Sequence, residues 1–155
     1  QVRFADTLIM AAAVSDFRPV FKQGQKIPRR KHVSLEFKAT QDIVAGLPRK
    51  PRQIFAGFAL ETTSVLANAK RKLNNKRLDL VLAQQATGKE SSRKSGGLPF
   101  GRKRVRAWLV EANGKRSGRV KKSKLGVTDL GWLTKPKVAR LLLDKIEALW
   151  YGQHK

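Results

Sequence analysis

The sequence predicts an α/β domain with a mostly parallel sheet, flanking helices and an added antiparallel hairpin. Three short and nearly continuous apolar runs have the pattern of strands that are buried on both faces. Helical segments lie between these runs, and a basic alternating segment precedes a turn signal. Because 155 residues suffice for one hydrophobic core, we expect a single domain spanning 1–155.

The first third of the chain predicts one buried strand and two short elements. Asp6–Val14 is an apolar run ending in small residues, which is typical of a buried parallel strand. The proline- and glycine-containing segment 15–32 predicts a flexible loop. Val33–Phe37 alternates as a short strand, and Gln41–Leu47 is predicted to be a short helix with Thr40 as its N-cap.

The middle of the chain predicts a strand–helix–strand unit. Gln53–Leu60 and Leu78–Ala83 are apolar runs typical of buried strands. Between them, Thr62–Lys76 has an apolar stripe at helical spacing, with Thr62 or Thr63 as its expected N-cap.

The last third predicts a hairpin and a closing helix. The polar segment 84–103 is expected to be a flexible connection, and Arg104–Glu111 alternates as a strand. Ala112-Asn113-Gly114-Lys115 is a hairpin turn signal. Lys135–Leu149 has an apolar face at helical spacing and is predicted to be an amphipathic helix.

The composition is strongly basic. Lys and Arg number 34 against 11 Asp and Glu, giving a formal charge of +23, and thirteen of the basic residues lie within 86–126. A solvated basic surface, contact with nucleic acid and contact with small phosphorylated ligands all fit this excess. The absence of cysteine excludes disulfides, Cys-ligated metals and a thiol nucleophile. No apolar run predicts a membrane span, and a cytoplasmic setting is expected.

Candidate ligand-binding residues lie after the predicted strands, where open α/β sheets bind ligands. Asp16 follows the first strand and can hold a hydroxyl or a hydrated Mg²⁺, or simply form a turn. Lys72 and Lys76 are four residues apart and share a helix face, which suits either an anionic ligand or two solvated lysines. Lys26 can close over a triphosphate from the flexible loop.

An ordered set of short motifs resembles a known enzyme family. The motifs are Ala11-Ala12-Ala13-Val14-Ser15-Asp16-Phe17-Arg18-Pro19, Lys26-Ile27, Gln41-Asp42-Ile43-Val44, Gly57-Phe58-Ala59-Leu60-Glu61-Thr62, Ala69-Lys70-Arg71-Lys72-Leu73, Lys76 and Asp79. Together they resemble phosphopantothenoylcysteine synthetase, and more narrowly the CTP-dependent bacterial enzyme of coenzyme A biosynthesis. The resemblance is specific from Asp6 to Ala83, and the final helix also suits this family.

The resemblance implies a Rossmann-like fold and a ligase. The enzyme would condense 4′-phosphopantothenate with cysteine through an acyl-cytidylate formed from CTP, with Mg²⁺ assisting. It also implies a homodimer that pairs through added strands, and a possible fusion to an upstream flavin-dependent decarboxylase.

The resemblance also implies roles for individual residues. Met10, Ala11 and Ala12, together with the stretch Gln41, Asp42, Ile43 and Val44, match segments that contact the nucleotide through backbone groups. Asp16 and Phe58 match nucleotide-site positions, and Asp16 is the candidate metal ligand. The phosphate-facing lysines correspond to Lys26, Lys72 and Lys76, of which Lys26 lies on the flap and is the candidate catalytic residue.

The chain departs from the family at several points. The family's glycine-rich first strand and catalytic Asn have no counterpart here, which predicts a fragment that is incomplete at its N-terminus and inactive alone. Pro28 stands in the flap, Gln84-Gln85 follow the third strand, and 101–104 is basic where the family is acidic. The alternative is a catalytically degenerate basic protein that binds RNA or another polyanion.

Overall fold

The computed structural model of the protein describes residues 2–21, 24, 32–86, 104–113 and 124–153. In chain order these residues form a 3-10 turn Val2–Phe4, β1 Thr7–Met10, β2 Phe17–Pro19, β3 Phe37–Ala39, β4 Ile54–Glu61, α1 Val65–Asn75, β5 Leu80–Gln85, β6 Arg104–Asn113, β7 Lys124–Thr134 and α2 Lys135–Gln153.

The main sheet has five strands within the described residues, in the order β1-β4-β5-β6-β7. β1, β4 and β5 run parallel, while β6 and β7 are antiparallel to their neighbours. The predicted α/β architecture, with three parallel strands and an antiparallel hairpin at one edge, is therefore confirmed. β2 and β3 form a separate two-stranded antiparallel sheet, which we call the arm.

One helix covers each face of the main sheet. α2 packs its buried Val138, Leu142 and Ile146 on the side chains of β4, β5 and β6 that point to one face. α1 packs Ala69 and Leu73 on the opposite face. Both helices therefore bury the apolar stripes that their helical spacing predicts, and burial of those stripes is the main stabilising term.

A charged cluster connects α1 to the amino-terminal edge of the sheet. The Asp79 carboxylate accepts a hydrogen bond from the Phe55 amide at 2.7 Å and forms an ion pair with Arg49. The Arg49 guanidinium also donates to the carbonyls of Gln53 and Arg77, each at 2.6 Å, and lies over the Phe55 ring. Every charge in this cluster has a partner of opposite sign or a carbonyl, as buried polar groups require.

A β-bulge shapes the hairpin. Ala107 pairs with Gly131 and Trp108 pairs with Asp129, so Leu130 is the extra residue. Gly131 has a φ of 69°, and its amide donates to Asp129 at 2.8 Å. The hydrogen bonds from Arg106, with that from Gly131, lower the pKa of Asp129 to about 2. Arg106 and Asp129 therefore stay paired throughout the neutral range.

Three local predictions were wrong, and each error reflects pairing across the chain. Within the predicted loop 15–32, Phe17–Pro19 is a strand, and its partner is Phe37–Ala39 rather than Val33–Phe37. An alternating segment fits several registers, and its partner strand selects one of them. The remainder of 15–32 lies mostly outside the described residues, as does 87–103.

Gln41–Leu47 is a hydrogen-bonded turn and not a helix. The Asp42 side chain accepts the Ala45 amide at 3.1 Å, and the Asp42 carbonyl accepts the Gly46 amide at 3.3 Å. Asp42, and not Thr40, therefore supplies the side-chain cap. A side chain that bonds the local backbone in this way offers it an alternative to helix.

The N-terminus of α1 also differs from the prediction. The N-cap is Ser64 rather than Thr62 or Thr63, and its side chain makes no capping hydrogen bond. Ser64 lies in the left-handed region with a φ of 50°. The Asn68 side chain reaches back to the Thr63 carbonyl at 3.3 Å, so the helix start is tied from inside the first turns.

No helix in the described part of the chain is long and apolar enough to cross a membrane.

We predict that Gly57→Ala destabilises the protein. A Cβ at Gly57 would lie 2.8 Å from Cδ1 of Leu78, which is itself only 1% exposed and has little room to move. We expect a loss of about 1–3 kcal/mol in the free energy of unfolding, measured by urea denaturation. Gly152→Ala is the control, because no atom lies within 4 Å of its added Cβ and alanine favours the helix. Equal stabilities of wild type and Gly57→Ala would contradict the prediction.

Candidate functional site

The carboxyl-terminal ends of β1, β4 and β5 lie at one edge of the sheet because these strands are parallel. The chain leaves β1 towards Asp16, and it leaves β4 at Glu61 to begin α1 shortly afterwards. Ligands of open α/β sheets bind outside this edge. It therefore defines the candidate site.

The base of the arm brings two predicted segments together. The Thr40 amide donates to the Asp16 carbonyl at 2.9 Å, and the Thr40 hydroxyl donates to the Ser15 carbonyl at 2.5 Å. Asp16 precedes β2 and Gln41 follows β3 by two residues, so closure of the arm places the two segments side by side.

The two predicted lysines of α1 face these segments. The Lys76 ammonium lies 3.1 Å from Oδ2 of Asp42. Lys72 is one helical turn earlier on the same face and is partly buried. The structure thus brings Lys72, Lys76, Asp16 and Asp42 into one charged cluster, although they come from three separate segments of the chain.

The environment of Lys72 is the most perturbed in the cluster. Burial, followed by the neighbouring Lys76 charge, lowers the pKa of Lys72 below its usual value. The carboxylates of Glu61, Asp16 and Asp42 oppose this pKa shift but do not cancel it. A further negative charge near Lys72 would favour its ammonium form. A bound anion is such a charge.

Asp42 holds the turn and the helix together. Burial acts to raise the pKa of Asp42, but the Ala45 amide and Lys76 outweigh it, so this pKa lies below its ordinary value. Asp42 therefore stays ionised at neutral pH, accepting from the turn with one oxygen and pairing with Lys76 through the other.

The remaining predicted contacts lie around the cluster. Met10 ends β1, and the following Ala11 and Ala12 are exposed. In the turn, Gln41 and Ile43 are exposed, whereas the Val44 side chain is buried in the core on the α1 face. Val44 can therefore meet a ligand only through its backbone.

Phe58 is not brought into the cluster. Its side chain packs with the core on the α2 face of the sheet, whereas Lys72 and Lys76 belong to α1 on the opposite face. Lys26, and most of the basic segment 86–126, lie outside the described residues.

Sequence reasoning did not single out Glu61 and Asn68. Asn68 donates to the Glu61 carboxylate at 2.8 Å, and Asn68 lies one helical turn before Lys72. The spacing of Asn68, Lys72 and Lys76 at intervals of four was visible in the sequence and could have indicated a shared face. The strand-end position of Glu61 was also visible.

Within the described residues, no three Asp, Glu or His side chains gather in a way that could hold a metal ion. Asp16 offers one exposed carboxylate beside the lysines. Mg²⁺ commonly binds through one or two carboxylates together with substrate phosphates and waters. The donor set therefore suits a metal that is shared with a phosphorylated ligand, and not one enclosed by the protein.

Comparison with known proteins places the chain among coenzyme A biosynthesis proteins. The family described as the DNA/pantothenate metabolism flavoprotein C-terminal domain matches residues 1–149. The chain is 36% identical over 99 residues to the coenzyme A biosynthesis bifunctional protein CoaBC of Bacillus subtilis (strain 168), covering 63% of this chain and 23% of that protein.

A second curated relative is a cysteine/cysteine sulfinic acid decarboxylase from an unknown prokaryotic organism. It is 35% identical over 112 residues, covering 70% of this chain and 29% of that protein. The chain thus spans less than a third of the length of either relative.

Two solved structures share the fold. The C-terminal domain of the coenzyme A biosynthesis bifunctional protein CoaBC is similar with a TM-score of 0.58 and 26% identity, covering 97% of this chain and 57% of that one. The DNA/pantothenate metabolism flavoprotein from Streptococcus pneumoniae has a TM-score of 0.56 at 21% identity, covering 96% of this chain and 63% of that one. The second likeness supports the fold alone.

We predict that the Asp42 carboxyl titrates below its ordinary value of 3.8 and that Lys76→Gln raises its midpoint. The stabilisation from Asp42 is therefore present above pH 3.8 and is lost as the pH falls through the lowered pKa. NMR titration of the Asp42 side-chain carboxyl measures the midpoint. Lys70→Gln, two residues from Lys72 and so on another face of α1, should leave the midpoint unchanged. An unchanged midpoint in Lys76→Gln would refute the pairing.

Proposed function

Because the chain belongs to the family of DNA/pantothenate metabolism flavoprotein C-terminal domains, we propose that it forms the nucleotide-binding part of a CTP-dependent phosphopantothenate–cysteine ligase. The observation that supports this most is the convergence of Lys72, Lys76, Asp16 and Asp42 at the carboxyl ends of the parallel strands. Two partly buried ammonium groups at that edge suit a polyphosphate.

The two curated relatives have different names, so the choice between them needs a reason. The match covers 23% of the bifunctional coenzyme A protein and 29% of the decarboxylase. The solved C-terminal domain of CoaBC, in contrast, covers 97% of this chain. Both the sequence and the fold of this region therefore favour the ligase of coenzyme A biosynthesis. A fused flavin-dependent decarboxylase belongs to the proposal for the whole protein.

The proposed reaction has two steps. A carboxylate oxygen of 4′-phosphopantothenate attacks the α-phosphorus of CTP, and pyrophosphate leaves with the electrons of the broken P–O bond. The cysteine amine then attacks the acyl carbon, CMP leaves, and the amine proton passes to solvent. Phosphoryl chemistry of this kind asks the protein chiefly for positioning and charge neutralisation.

The residues of the cluster take binding and orienting roles in this proposal. Lys72 and Lys76 bind phosphate oxygens, and Lys26 closes over them from the flap. Backbone groups of 10–12 and 41–44 hold the nucleotide, with Asp42 keeping the turn against α1. Phe58 takes no side-chain part, since its ring packs on the other face of the sheet.

A magnesium ion fits the site only together with the substrate. Mg²⁺ would neutralise phosphate charge when bound, and Asp16 is the residue that would hold it. The exposed Asp16 carboxylate lies at the base of the arm, where its carbonyl is fixed by Thr40. That anchoring limits how far the carboxylate can move from the lysines.

We also propose a homodimer that forms through the arm. Phe17 is opposite Ala39 and Pro19 is opposite Phe37, so these four exposed side chains share one face, while Arg18 and Lys38 share the other. Phe17 and Phe37 are 62% and 53% exposed. A two-stranded sheet is marginal by itself, and covering its apolar face with a second copy would stabilise it.

We predict that the protein binds CTP with Mg²⁺ and that Lys72→Gln weakens this binding about tenfold or more, because a charge-assisted hydrogen bond to phosphate is lost. Isothermal titration calorimetry measures the affinity. Lys70→Gln is the matched control, because it removes the same charge from a different face of α1. Lys26→Gln should weaken binding as Lys72→Gln does.

Equal affinities of Lys72→Gln and Lys70→Gln would remove the proposed role of Lys72. Absence of CTP binding by the wild-type protein would overturn the proposed function itself.

We predict that Phe37→Asp converts the dimer to a monomer, because a carboxylate would be buried without a partner in the apolar interface. Light scattering coupled to size exclusion measures the mass. Lys38→Asp, on the cationic face of the arm, should leave the dimer intact. A monomeric wild-type protein would contradict dimerisation through the arm.

A further inference from the structure

Glu61 is held rigidly at the end of β4. Its backbone pairs with Gln85 on β5, and its carbonyl accepts the Ala86 amide at 2.8 Å. Its side chain is partly buried, and Oε2 accepts a hydrogen bond from Asn68 at 2.8 Å. The carboxylate therefore has a fixed origin and a fixed partner, which is unusual for an acidic residue at a strand end.

Asn68 links this carboxylate to the lysine face of α1. Its side-chain nitrogen donates to Glu61 and also to the Thr63 carbonyl at 3.3 Å, which occupies both of its hydrogens. Asn68, Lys72 and Lys76 follow one another at intervals of four and share one face of the helix. The Asn68 side chain thus orients Glu61 next to Lys72.

Lys72 is surrounded by charged groups from every element that packs near it. Lys76 lies on the same helix, Glu61 ends β4, Asp16 precedes the arm, and Asp42 lies in the turn that follows the arm. Among the carboxylates, Glu61 has the largest effect in raising the pKa of Lys72. Asp42 is already paired with Lys76. Glu61 is therefore the principal counter-charge of Lys72.

We propose that Glu61, oriented by Asn68, is a positioning residue of the nucleotide site that holds the Lys72 side chain charged and directed towards the phosphate-binding edge. This inference rests on the proposed function. Without a fixed counter-charge, a partly buried ammonium next to another lysine would tend to lose its proton or turn outwards to solvent. Glu61 prevents both outcomes before the phosphate arrives.

The test separates charge from hydrogen bonding. Glu61→Gln keeps an acceptor for Asn68 and removes the charge, so the β4–α1 junction and the stability should be preserved. The pKa of Lys72, followed by NMR of its side-chain carbon or nitrogen, should fall further below that of wild type. As a result, CTP affinity should drop more steeply above neutral pH, with an extra loss of about two- to threefold at alkaline pH.

Two further variants serve as controls. Glu147→Gln makes the same chemical change at an exposed position of α2, on the other face of the sheet, and should leave Lys72 unchanged. The double variant Glu61→Gln, Asn68→Asp inverts the pair and restores a carboxylate one turn before Lys72. It should return the Lys72 titration and the pH profile of CTP binding towards wild type.

An unchanged Lys72 titration in Glu61→Gln, or a failure of the double variant to restore it, would overturn the inference. A wild-type protein that binds no CTP would instead refute the proposed function, and the Lys72 titration would still test the role of Glu61.

Discussion

The bonds of Asp79 determine where α1 ends and therefore where its lysines lie. The Asp79 carboxylate accepts from Phe55 in β4, its amide donates to the Phe55 carbonyl at 2.8 Å, and its carbonyl accepts the Ala112 amide of β6 at 3.0 Å. Arg49 adds a second connection by binding both Asp79 and the Arg77 carbonyl. Because Arg77 and Asp79 directly follow α1, these bonds orient the whole helix on the sheet.

The two ends of α1 differ in how their charges are satisfied. Beyond its C-terminal end, Arg49 and Asp79 are paired with each other and with backbone groups, which is the pattern of a structural cluster. On the face directed to the carboxyl ends of the strands, the Lys72 pKa remains lowered despite three nearby carboxylates. Incomplete compensation of this kind is typical of sites that bind charged ligands. The contrast explains why the second cluster, and not the first, is the candidate site.

The apolar elements could be predicted from the sequence because their pattern is local. β4, β5, α1 and α2 each bury a run or stripe that is visible within a few residues, and burial depends on that pattern whatever the neighbour is. The arm could not be placed correctly. Its strands are 17 residues apart between Pro19 and Phe37, and an alternating segment does not reveal its register without its partner.

The candidate site divides in the same way. The residue types and the helical spacing of Lys72 and Lys76 were determined by the sequence, as was the α/β architecture that directs ligands to one edge of the sheet. Only the tertiary structure decided that Asp42 pairs with Lys76, that Asn68 orients Glu61, and that the Phe58 ring faces away. These are contacts between separate segments, and their geometry depends on how helix, strand ends and turn pack together, which no local pattern specifies.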